Sequence, residues 1–187
     1  MYLRILAVAA AGLLSSSASS KLPEPLPVPQ VPVQIDVPQL LCLGCTPREN
    51  RALKVLNDRG VTDRRAQAVI LGTIKQESKW QPAVCEGGAI TSYRKCTRGG
   101  YGLIQWTSVH RYNGLGHFAH STGSTPENFD TQLNYIFKER EWKAVEPVFR
   151  TAGLSLHQYE NAEYRWIGWG IRGHRDTYTQ DYLSRIT

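Results

Sequence analysis

Arg64 to Ser78 reads RRAQAVILGTIKQES, and the spacing of its apolar residues decides the fold class. Ala66, Val69, Ile70 and Ile74 recur at the intervals of one helical face. Thr62 or Asp63 stands where an N-cap is expected, and Pro82 closes the segment. Carried one turn further, the stripe reaches Glu77 and Ser78. A carboxylate on an apolar face costs free energy unless it is paired or neutralised. Desolvation would raise its pKa above the ordinary value of about 4.3. A carboxylic acid still protonated near neutral pH is what a general acid requires. The opposing reading is a rim glutamate paired with Arg65, Lys75 or Lys79.

Helical signals continue on both sides. Thr46-Pro47-Arg48-Glu49 is a capping box with proline at the first helical position. Its helix carries Leu53, Val55 and Leu56 and stops at Gly60. From Val84 to Thr107 the pattern changes, with glycines at 87–88, 99–100 and 102. The β-type residues between them predict a cysteine-clipped loop with a short hairpin. Thr107 to His120 reads as a short helix broken by Gly114 and Gly116. Thr125-Pro126 opens one strong helix with Phe129, Leu133, Ile136, Phe137 and Val145 inward. Ser155-x-x-Gln158 is a second capping box, leading through Tyr164, Trp166 and Ile167. Asp176 to Ile186 forms a last helix. The expected fold is mainly α (α+β), with a small β/loop element and no internal repeat.

The chain has 187 residues, 41% hydrophobic and 20% charged, which excludes collagen, coiled coil and a wholly disordered chain. Residues 1–20 read as a secretory signal peptide: Arg4, an apolar run to Leu14, then small residues with Ser17-Ala18-Ser19 as the cleavage site. The apolar run is shorter than the ~20 residues a bilayer requires. Residues 21–41 read as a Pro-rich linker, with six prolines between positions 21 and 40. The folded domain is expected at 42–187. The expected location is therefore secreted, periplasmic or extracellular, with no stable membrane span after cleavage.

Export makes disulfides the default for Cys42, Cys45, Cys85 and Cys96. A four-cysteine zinc site would require a tighter second pair. Three disulfide pairings remain open. His117 and His120 are spaced i, i+3 but have no third ligand nearby at a telling spacing. No metal or cofactor is expected.

Two further stretches give Glu77 its context. Gln76-Glu77-Ser78-Lys79-Trp80-Gln81-Pro82 is followed by Gly100-Tyr101-Gly102-Leu103-Ile104-Gln105-Trp106. Glu-Ser, a proline four residues after the serine, then G-x-G-L-x-Q-W resembles the lysozyme superfamily, and within it the phage tail lysozyme type of peptidoglycan hydrolase. Goose-type lysozymes and lytic transglycosylases share the Glu-Ser and G-L-x-Q pieces. Gln132-Leu133-x-x-Ile136 also fits the phage tail group, and Gly170-Ile171-Arg172 with Arg175 fits its C-terminal end. The resemblance spans roughly 47–186.

This resemblance implies a lysozyme-like domain that cuts the β-1,4 link between N-acetylmuramic acid and N-acetylglucosamine. Glu77 takes the place of the general acid. Ser78, Tyr101 and Gln105 are its supports, with Gln105 holding an N-acetyl group or a water. Trp80 or Trp106 offers an apolar face to a sugar ring, or packs in the core. Glu86 is the candidate second carboxylate, ahead of Asp130 and Asp176; a solvated loop charge is the alternative. Transglycosylases of the superfamily act with one glutamate and release 1,6-anhydro products, so hydrolase and transglycosylase both stay open.

Rival classes are a Cys/His wall peptidase, whose thiols the disulfides would consume, and a noncatalytic peptidoglycan-binding module, which would lose the acid. The net charge of +6 admits an anionic partner. Residues 46–126 carry 12 basic and 5 acidic side chains, whereas 127–187 carry 8 and 9. The excess lies on the half that holds Glu77. Peptidoglycan suits an exported chain, and no nucleic-acid motif appears. The expected molecule is a monomer acting on peptidoglycan.

Overall fold

A computed structural model describes residues 41–187. The signal peptide expected at 1–20 lies outside the described residues, as does the linker except Leu41. Helix α1 spans Pro47–Asp58, α2 Arg64–Ser78, α3 Val109–Ser121, α4 Phe129–Ile136, α5 Arg140–Arg150, α6 Leu156–Ile167 and α7 Arg175–Arg185. A 3₁₀ turn, Tyr93–Lys95, lies between α2 and α3. The mainly α expectation therefore holds.

The local signals formed as their chemistry dictates. Both capping boxes, Thr46/Glu49 and Ser155/Gln158, are closed in both directions. Asp63 caps α2 by accepting from the Arg65 amide at 2.7 Å. Ala66 to Ile74 is buried without interruption. The sequence predicts a single apolar stripe here; α2 is instead buried on several sides because α1, α6 and α7 all pack against it. Gly72 lets α7 approach, since a Cβ there would lie 2.7 Å from Thr179 Oγ1.

Two helix expectations are corrected. Gly114 and Gly116 do not break α3, which runs unbroken through both. They are contact points: an added Cβ would meet the Tyr135 hydroxyl at Gly114 and the Tyr93 hydroxyl at Gly116. The single helix expected from Thr125-Pro126 is a turn followed by two helices, α4 and α5. Asn128 caps α4 by accepting from the Thr131 amide at 2.9 Å. The break before α5 places Glu139 at its N-cap, 3% exposed. There its carboxylate accepts from Arg111 at 2.8 and 2.9 Å, from Trp106 at 3.0 Å and from Trp166 at 2.7 Å. Burial pushes the Glu139 carboxyl upward, and those donors oppose it.

The expected hairpin is reduced to isolated bridges, Val84 with Ile90, Cys85 with Tyr101 and Tyr101 with Trp106. The disulfides pair Cys42 with Cys45 and Cys85 with Cys96. The fold already includes Leu41, whose amide and carbonyl bond Thr187 at 3.1 and 2.9 Å. Among the described residues no helix is long and apolar enough to cross a membrane.

Candidate active site

Lys79 and Trp80, at φ 50° and 66°, turn the chain sharply out of α2. Glu77 therefore sits in the last helical turn, its side chain 14% exposed at the wall of a cleft of about 440 Å³. Glu86, Gln105, Trp169, Ile171 and Arg175 line the same cleft. The sequence-predicted Glu77, Glu86 and Gln105 thus come together from α2 and the loop before α3.

Glu86 is held at the rim. Its Oε2 accepts from the Gly100 amide at 3.0 Å. Gly99, at φ 70°, is required beside it, because a Cβ there would overlap the Glu86 carboxylate. Gln105, at φ 53°, spends its amide donor on Gly102 O at 3.0 Å and Val84 O at 3.3 Å. The loop itself is pinned by Gln132, fully buried, which accepts from the Leu103 amide and donates to Pro82 O and Pro126 O. Gln76 Oε1 accepts from the His174 amide at 2.9 Å and so ties the opposite wall to α2.

The other predicted residues stand behind the wall. Ser78 is 4% exposed and donates back to Ile74 O at 3.0 Å. Tyr101 is fully buried and donates to Thr91 O at 3.2 Å. Trp80 and Trp106 are 6% and 0% exposed, with their indoles donating to the Tyr182 hydroxyl and to Glu139. Neither ring offers a free face to a sugar, because the same apolar area is already buried in the core. The tryptophan in the cleft is Trp169.

The partner of Glu77 comes from far along the chain. Arg175 Nη2 donates to Glu77 Oε1 across 98 residues of sequence. The nearer candidates are occupied elsewhere: Lys75 with Asp181, Lys79 with the Tyr178 hydroxyl, and Arg65 with Leu154 O. Arg175 is itself 3% exposed, and burial lowers it to about 10. Its Nη1 is fixed by Ile171 O at 3.0 Å and Arg172 O at 2.7 Å, and its Cζ lies 4.5 Å from the Trp169 ring centroid. On its other side, Nε lies 3.3 Å from Glu163 Oε1.

Glu163 is 2% exposed, and burial pushes its carboxyl up to about 8. The Thr73 hydroxyl bonds it from α2. Sequence reasoning missed Glu163 and Trp169, and noted Arg175 only within a motif. A signal for Glu163 existed: with Tyr159, Ala162 and Trp166 it completes the buried stripe of α6, as Glu77 extends that of α2. Trp169 lies in a loop, where no periodicity marks it. Among the described residues no cluster of three or more His, Cys, Asp or Glu is arranged to hold a metal ion.

Comparison with curated proteins finds no match. The model of the phage tail lysozyme family matches residues 48–168, well over half of the chain. The match contains Glu77, Glu86, Gln105 and Glu163 and stops just before Trp169. On that match, the chain belongs to the phage tail lysozyme family.

Proposed function

We propose that this chain cleaves the β-1,4 bond between N-acetylmuramic acid and N-acetylglucosamine, with Glu77 as general acid. Family membership supports the coarser statement directly: this is a lysozyme-like, peptidoglycan-cleaving protein, a glycoside hydrolase or a lytic transglycosylase. The observation that carries the finer reading is the shared cleft, where Glu77 and Glu86 line one cavity with Gln105.

In this reading Glu77 protonates the glycosidic oxygen as the bond to the anomeric carbon breaks. Glu86, exposed at the rim and held through Oε2, is the second carboxylate and serves the attacking water. Gln105 presents its Oε1 to an N-acetyl group or to that water. Trp169 takes the sugar-facing role first expected of Trp80 or Trp106. Action outside the cell is supported by the two disulfides and by the basic excess of residues 46–126.

The test is Glu77→Gln, with soluble muropeptides released from purified peptidoglycan measured by mass. Release should fall by about 10²–10⁴-fold; undiminished release rejects the assignment. Glu86→Gln separates the two chemistries. A reducing-end product lost in this variant supports the hydrolase, and a 1,6-anhydro product that survives it supports the transglycosylase.

A further inference from the structure

The ion pair raises a problem. A general acid must carry a proton, yet the Arg175 guanidinium favours the charged form of Glu77. The guanidinium cannot simply swing away, because Nη1 is held by two backbone carbonyls and the plane lies against Trp169. The solution must leave Arg175 where it is.

Its other side offers one. Arg175 Nε faces Glu163 Oε1 at 3.3 Å, yet this buried donor makes no hydrogen bond among the described residues. Thr73 Oγ1 touches Glu163 Oε1 and also lies 2.9 Å from Val69 O. A hydroxyl has one proton to give and lone pairs to accept with. When Glu163 is neutral, its O–H donates to Thr73, which donates to Val69 O. When Glu163 is charged, Thr73 turns its proton to the carboxylate and the idle Nε of Arg175 gains an acceptor. The same heavy-atom positions thus accommodate both protonation states.

We propose that Glu163 is a positioning residue for catalysis, sharing one proton with Glu77 across the fixed Arg175. At rest Glu163 is neutral and Arg175 is paired with charged Glu77. When glycan fills the cleft and excludes water, charge on Glu77 is penalised. A proton then leaves Glu163 for solvent and one arrives on Glu77, so the trio keeps its net charge and Arg175 is now balanced by Glu163. The inference rests on Glu77 being the general acid. The raised position of Glu163, about 8, agrees with a neutral resting state.

Among the described residues, the charged groups around Glu163 do not supply an alternative partner. Glu160 on α6 and Asp176 on α7 are both bridged by Arg172, at 3.4 and 2.5 Å. Thr73 is the contact from α2, and Arg175 is the guanidinium at the carboxylate itself. On the cleft side, Glu86 is the other carboxylate near Glu77.

The experiment compares kcat and KM for muropeptide release across pH, using the full chain. In Glu163→Gln, Arg175 has only Glu77 to balance it, so Glu77 gives up its proton at lower pH. The alkaline limb of kcat should move down by at least one pH unit, about tenfold at a fixed pH on that limb. Activity should recover on acidification, with KM nearly unchanged. The double variant Glu163→Gln/Arg175→Gln removes the clamp and should return the limb upward. Thr73→Val keeps all three ionisable groups, withdraws the donor that favours charged Glu163, and should shift the limb the same way by less. An unshifted limb in Glu163→Gln, or a loss equal at every pH, overturns the proposal and leaves Glu77 as the acid. Full activity of Glu77→Gln in the same assay rejects the acid itself, and the proposal with it.

Discussion

Glu163 and Glu77 are both carboxylates at the inner face of a helix, but Glu77 opens to the cleft and Glu163 is closed in behind it. Closure has a consequence for stability. Burial raises Glu163 from 4.5 to about 8, so the folded chain retains this proton over a range where the unfolded chain has lost it. Stability from this group is fully present below pH 4.5 and declines as pH rises toward 8. Glu163→Gln removes the decline. The stability of the variant relative to the wild type should therefore grow between these limits and level off above them, by about 5 kcal/mol in total. Denaturant unfolding at a series of pH values checks this, and parallel curves would show that Glu163 is not raised. Glu77 was legible as a residue, because a carboxylate on an apolar stripe stands out against its period. Its ion pair was not, because nothing local to Glu77 points to Arg175.

Helices were read best where their signals are local. Both capping boxes and the α2 cap use contacts within three residues, and all formed. The misread elements are those shaped by distant neighbours. The break between α4 and α5 accompanies the burial of Glu139 among Arg111, Trp106 and Trp166, and none of these three is close in sequence. Gly114 gives this a direct test. On an isolated helix, Gly→Ala stabilises by about 1 kcal/mol. Here the added methyl would overlap the hydroxyl of Tyr135, which donates to Arg111 O at 3.1 Å. Gly114→Ala should therefore destabilise the protein, reversing the usual sign. A rise in the denaturation midpoint would refute the packing role.

Across the whole molecule, the cleft is assembled from pieces that share no local signal: the end of α2, the clipped loop before α3, the loop after α6 and the start of α7. The Cys85–Cys96 bridge ties off the loop that carries Glu86. Replacing both cysteines with serine should lower stability by about 2–3 kcal/mol. Muropeptide release should fall more than the folded fraction does, since Glu86 depends on Gly99 and Gly100 being held beside it. Equal losses in fold and activity would show that the bridge is only structural. The helical class, the caps, the acid candidate and the family resemblance were legible in the amino-acid sequence, because each rests on residue type at short fixed spacings. The disulfide pairs, the tryptophan that lines the cleft and the guanidinium that meets Glu77 emerge with the packed fold. Those depend on which distant surfaces pack together, and periodicity within a single segment carries no information about that.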